Sequence, residues 1–151
     1  MNERRVYIKE AFRLYQLNKK QLKRLEEEIK NIAIPGASGV DYSRPVVAQG
    51  SYENFTEKQV AQFIDKHSEL VERAKAIKKK VELVRLTIAH FEIEKHAKGK
   101  KHYKYICERW LRGLSYRRAA IECEVSERTA DYWIEEIYTI AEAIGEKNEL
   151  F

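Results

Sequence analysis

Apolar residues in the first part of the chain recur at alternating intervals of three and four: Ile8, Ala11, Tyr15, then Leu22, Leu25, Ile29 and Ile32, with charged residues between them. This is heptad spacing, the pattern of a helix that offers one apolar stripe to a neighbour. It predicts a helix from about Asn2 to Ala33, ended by Pro35-Gly36. Asn18 falls at a seam position, where a single polar residue can fix register or partner number at some cost in stability. Residues 34–55 hold both prolines and three of the six glycines. They show no sustained period and read as a linker or ordered loop.

A second helix start follows, with Thr56 as N-cap, Gln59 as its capping-box partner and Phe55 packing on Val60 as a hydrophobic staple. Its stripe is longer: Val60, Phe63, His67, Leu70, Ala74, Ile77, Val81, Val84, Ile88 and Phe91. A helix from Thr56 to about Ala97 is about 60 Å long. It cannot bury that stripe alone, and the first helix is too short to cover it all. The expected architecture of residues 1–97 is therefore a helical hairpin or coiled coil that oligomerises, with a dimer favoured.

Gly99 marks the joint to a C-terminal domain, residues 98–151. Its first helix is predicted from Lys101 to Arg112, burying Tyr103, Ile106, Cys107, Trp110 and Leu111, with Gly113 as C-cap. The segment Gly113 to Ile137, GLSYRRAAIECEVSERTADYWIEEI, then has the spacing of a helix-turn-helix. Ser115 is an N-cap opening a helix of about eight residues. Ala119, Ala120 and Cys123 share one face of it, and the two alanines let a crossing helix approach closely. Val125 plugs the turn, in which Glu124 stands where glycine is common. Ser126 caps a second helix that buries Ala130, Trp133, Ile134 and Ile137. Its opposite face is Glu127, Arg128, Thr129, Asp131, Tyr132 and Glu135. In a helix-turn-helix the start of the second helix meets base edges, so Ser126, Arg128, Thr129 and Tyr132 are the candidate reading residues. A compact three-helix bundle of another purpose can carry the same caps and periods.

Charge narrows the site. Residues 98–118 carry Lys98, Lys100, Lys101, Lys104, Arg109, Arg112, Arg117 and Arg118 against Glu108 alone, whereas residues 119–151 carry nine acids against Arg128 and Lys147. The basic run suits phosphate; by itself it also suits a solvated helix face. Arg112, Arg117 and Arg118, near the Ser115 cap, are expected to position the backbone of double-stranded DNA. Glu127 or Asp131 could accept from cytosine N4.

The chain has 151 residues, a formal net charge of +5 and 44% hydrophobic residues. That suffices for one small domain plus an extended element, all of it α-helical. Cys107 and Cys123 are expected to be reduced core residues, since the start MNERRVYIKEAF has no apolar signal region. No stretch approaches a membrane span, and a cytoplasmic location is expected. The four histidines and two cysteines form no ligand set with metal spacing, and there is no phosphate loop or nucleophile elbow. No enzyme activity, cofactor or metal is expected. Most of the aromatics Tyr103, Tyr105, Trp110, Tyr116, Tyr132 and Trp133 fall at helical spacing and read as core rather than as a base-stacking platform.

The stretch Tyr103 to Gly145 resembles the region-4-type helix-turn-helix of sigma factors, and more closely that of the RinA and ArpU group of phage late-transcription activators. The likeness lies in a Tyr/Trp-rich helix, the Arg-Gly-Leu-Ser-Tyr turn, Ala119-Ala120, Val125-Ser126 and Arg128-Thr129. It implies a phage or prophage regulator that binds a promoter and activates late genes; bacterial RNA polymerase is a further candidate partner. It also implies that Ser126, Arg128, Thr129 and Tyr132 match the family's DNA-reading positions. No sigma region-2-like segment is evident. Two other classes stay open: a packaging component of the small-terminase kind, and a helical scaffold that binds no DNA.

Overall fold

The computed structural model describes residues 2–32, 57–94 and 100–151, and all regular structure among them is helical. In chain order the helices are α1 (Glu3–Arg13), α2 (Tyr15–Asn31), α3 (Glu57–Ile93), α4 (Lys100–Ile106), α5 (Tyr116–Glu122) and α6 (Glu127–Lys147), with a π-helical turn at Cys107–Leu111 between α4 and α5. The loop 34–55, the Thr56 cap with its Phe55 staple, Pro35-Gly36 and the Gly99 joint lie outside the described residues. None of the described helices is long and apolar enough to cross a membrane.

Both heptad stripes are the covered faces of their helices. Ile8, Ala11, Tyr15, Asn18 and Leu25 are buried, as are Leu70, Val84 and Phe91, and the remaining seam positions of α2 and α3 are half-buried. The first helix differs from expectation in one respect. It is interrupted at Leu14, whose N–H still reaches the Glu10 carbonyl. Asn2 caps its start by accepting from the Arg4 N–H at 2.9 Å. Asn18 is buried, with its Nδ2 unpartnered among the described residues. Thr87, the other buried polar residue among the described residues, donates its hydroxyl to the Leu83 carbonyl at 2.7 Å.

The chain divides into two compact units: Met1–Lys20 with Ile77–Phe151, and Gln21–Ala76. The second holds the later part of α2 and the earlier part of α3, with Leu25 and Leu70 buried. The division does not follow the expected boundary at residues 97 and 98, because α1 and the end of α3 share a hydrophobic core with α4, α5 and α6. Phe12 lies on Trp110 (ring centroids 4.8 Å apart) and on Tyr138 (5.7 Å). Around it, Arg5 donates to the Thr139 hydroxyl at 3.1 Å, and Arg4 sits near Glu146 at 3.7 Å. Phe151 folds back over Gly145 to meet Tyr7 edge-on at 5.7 Å. A side chain at position 145 would collide with that ring, since an added Cβ would lie 2.4 Å from it.

The π turn explains which residues of the 101–112 segment face the core. Arg112 N–H reaches back five residues to the Cys107 carbonyl at 2.8 Å, and the Leu114 N–H closes on Glu108 at 3.1 Å. The extra residue in the turn shifts the face, so Tyr105, Ile106 and Trp110 are buried. Tyr103 and Cys107 are only half-buried and Leu111 is exposed, contrary to the α-helical expectation. Gly113 ends the segment at φ +82°, the left-handed conformation of its expected C-cap role.

Because Phe12 is 1% exposed and bridges α1 to Trp110 and Tyr138, Phe12→Ala should destabilise the unit that contains α5 and α6. The expected cost is about 3–5 kcal/mol. Denaturant unfolding followed by tryptophan fluorescence measures it. A loss under 1 kcal/mol would mean that residues 98–151 hold their own core without α1.

Candidate nucleic-acid interface

Residues Ser115 to Tyr132 build the candidate site on two short-range devices, the caps and the turn. Ser115 Oγ accepts from the Arg118 N–H at 3.3 Å, and Ser126 Oγ accepts from the Thr129 N–H at 3.1 Å. Each serine thus satisfies an otherwise orphaned donor at a helix start. Between them, Cys123, Glu124, Val125 and Ser126 connect α5 to α6. The Cys123 N–H bonds to Ala119, that of Glu124 to Ile121 and that of Val125 to the Ala120 carbonyl at 3.0 Å. Glu124 takes φ +58°, so the position where glycine is common does have the left-handed backbone that favours glycine. Ala119 and Ala120 are fully buried and α5 packs on α6, where Ala130 and Ile137 are buried and Trp133 and Ile134 half-buried. The connection is that of a helix-turn-helix.

Arg128 and Tyr132 are exposed, Tyr132 at 60%, so Tyr132 is surface rather than core. Thr129 is half-buried. Ser126 is already committed, since its hydroxyl also donates to Thr129 Oγ1 at 3.0 Å. Two of the candidate acids are held by α5: Arg117 pairs with Glu127 at 3.1 Å, and the Tyr116 hydroxyl lies 2.6 Å from Asp131 Oδ1. The same hydroxyl is 2.7 Å from the Glu127 backbone carbonyl. Its hydrogen bond to Asp131 pushes the Tyr116 phenol up to about 12. The tie between Tyr116 and α6 was not foreseen from the sequence, where Tyr116 reads as core.

The basic run does not act as one patch. Arg109 donates to the Leu114 carbonyl at 3.0 Å, holding the end of the π turn, and Arg112 pairs with Glu108 at 2.9 Å. Lys98 lies outside the described residues. Arg118 and Arg128 are exposed and make no ion pair among the described residues. Arg128 lies in the first turn of α6, where its charge adds to that of the helix-start N–H groups, and Arg118 lies on α5.

A groove of about 400 Å³ borders Tyr132 and is lined by Phe91, Glu94, His102, Glu135, Glu136, Thr139 and Ile140. His102 Nε2 bonds Glu136 at 2.7 Å, and its ring stacks on Phe91 and leans on Trp133. Three carboxylates make this groove unsuitable for phosphate. Cys107 and Cys123 are free and half-buried, and burial raises both thiols above their ordinary range. Among the described residues no cluster of His, Cys, Asp or Glu is arranged to hold a metal ion. No family model, curated protein or solved structure matches the chain.

Glu124 bears a Cβ in a left-handed turn, a conformation that costs an L-residue about 1–2 kcal/mol. Glu124→Gly should therefore raise stability by about 1 kcal/mol, after the entropy that glycine itself loses on folding. Thermal unfolding checks this, and a lower melting temperature would show that the turn is not strained there.

Proposed function

We propose that the protein is a sequence-specific double-stranded DNA-binding regulator that reads its site with the start of α6. The observation that supports this best is the exposed first turn of α6. It is presented by a tight turn from a capped α5, with Arg118 and Arg128 exposed on either side of the connection. A helix start offered in this way supplies N–H donors and positive charge to phosphate and side chains to base edges. Arg118 and Arg128 position, with Lys101, Lys104, Arg112 and Arg117 in support. Thr129 and Tyr132 lie on the reading face, and Ser126 acts through its cap.

The resemblance to phage late activators extends the proposal to activation of phage or prophage late genes in the bacterial cytoplasm. The half-buried stripe of α3 supports pairing of two copies, which would present two reading helices to a repeated or palindromic site.

The test is binding of the purified chain to duplex DNA from upstream of its own operon and to a scrambled duplex of equal length, in 50 and 200 mM salt. If four to six phosphates are neutralised, log affinity falls with log salt at a slope of about −4 to −5. Replacing Arg118 and Arg128 together by Ala should weaken binding to both duplexes and flatten the slope by about 2. A salt-independent response, or equal weak binding to both duplexes by the wild type, would overturn the proposal.

A further inference from the structure

The pair formed by Tyr116 and Asp131 has a geometry that exceeds what a helix contact needs. Tyr116 is the first residue of α5, directly after the Ser115 cap, so its backbone is fixed by the same turn that starts the helix. Its hydroxyl lies 2.6 Å from Asp131 Oδ1 and 2.7 Å from the Glu127 carbonyl. The shorter distance is in the range of a charge-assisted O–H···O⁻ bond. Glu127 and Asp131 are one turn apart on α6, and Arg117, next to Tyr116, holds the Glu127 carboxylate. The start of α5 thus ties down the first two acids of α6.

An ionised carboxylate only accepts hydrogen bonds. With Oδ1 occupied by the phenol, Asp131 keeps Oδ2 as an acceptor on an exposed part of the reading face. Of the two donor groups in the major groove, cytosine N4 and adenine N6, a carboxylate suits cytosine N4, because adenine N6 sits beside the N7 acceptor, which repels it. Left untethered, an exposed Asp131 would sample several rotamers and mainly repel phosphate. Held by Tyr116, it points one acceptor in one direction.

We propose that Tyr116 is a positioning residue that fixes Asp131 as the acceptor reading a single cytosine in the DNA site. The inference rests on the DNA-reading proposal above and assigns one base of the site to one residue pair. Because the phenol stays protonated up to about 12, the donor persists across the neutral range.

The experiment is selection of preferred duplexes from a randomised pool by the full-length wild type, Tyr116→Phe, Asp131→Asn and the double variant, with unfolding curves for each. The wild type should enrich a site with one cytosine that Asp131→Asn changes to adenine, since Asn pairs with adenine N6 and N7. Tyr116→Phe should lower the preference for that cytosine about tenfold, leaving other positions and the salt slope unchanged. The double variant should select as Asp131→Asn does, because Tyr116 acts through Asp131. An unchanged site for Asp131→Asn, or an undiminished cytosine preference for Tyr116→Phe, overturns the inference. So does a Tyr116→Phe chain that is less stable yet selects like the wild type, which would make the pair a structural contact. A wild type that enriches no sequence overturns the DNA-reading proposal itself, a result distinct from these.

Discussion

The contact of Phe12 with Trp110 and Tyr138 is the constraint on which the site depends. Through it α1 closes the core that also holds the π turn and α6. From there the aromatic contacts continue, Trp110 to Tyr105 and Tyr105 to Trp133, with His102 between Trp133 and Phe91. Aromatic pairs of this kind bury large area and add about 0.5–1.5 kcal/mol each beyond it. Their consequence is positional. The later turns of α6 are gripped by α1 and α4, so of its first turn only Ala130 enters the core, and Glu127 and Arg128 stay exposed beside the Ser126 cap and α5.

That arrangement also offsets part of an electrostatic conflict in the composition. The last 33 residues are strongly acidic, a poor field for a polyanion. Part of that charge is offset: Arg117 pairs with Glu127, and Arg5 and Arg4 of α1 pair with Glu135 and Glu146, while Asp131 and Glu136 keep their charge and accept hydrogen bonds from Tyr116 and His102. Exposed ion pairs add little to stability, of the order of 0–1 kcal/mol each. Their effect here is on the local field: at the start of α6 Arg117 offsets Glu127, and Arg128 and the helix dipole add positive charge, against the exposed Glu122 and Glu124 of the preceding helix and turn.

Much of this was legible in the residues because it is local. The two serine caps, the buried alanines, both heptad stripes and the outward face of α6 follow from spacing alone, and so does the turn at Glu124, whose left-handed backbone no glycine announced. What escaped is non-local. The π turn has no sequence signature; it is set by the need to bury Tyr105 and Trp110, five residues apart, on one face. The place of α1 in the C-terminal core depends on Phe12, which sits beside the heptad seam rather than on it. The pairing of Tyr116 with Asp131 joins residues fifteen apart across the turn and could not be read from either helix singly.

The most direct measurement is an amide NMR titration of the full chain with duplex DNA. The expected result is that shifts concentrate at Arg117, Arg118, Arg128, Thr129 and Tyr132 while α1 and the later turns of α6 stay in place. Shifts confined to α2 or α3, with the start of α6 unmoved by saturating DNA, would contradict the placement of the reading surface on the helix-turn-helix.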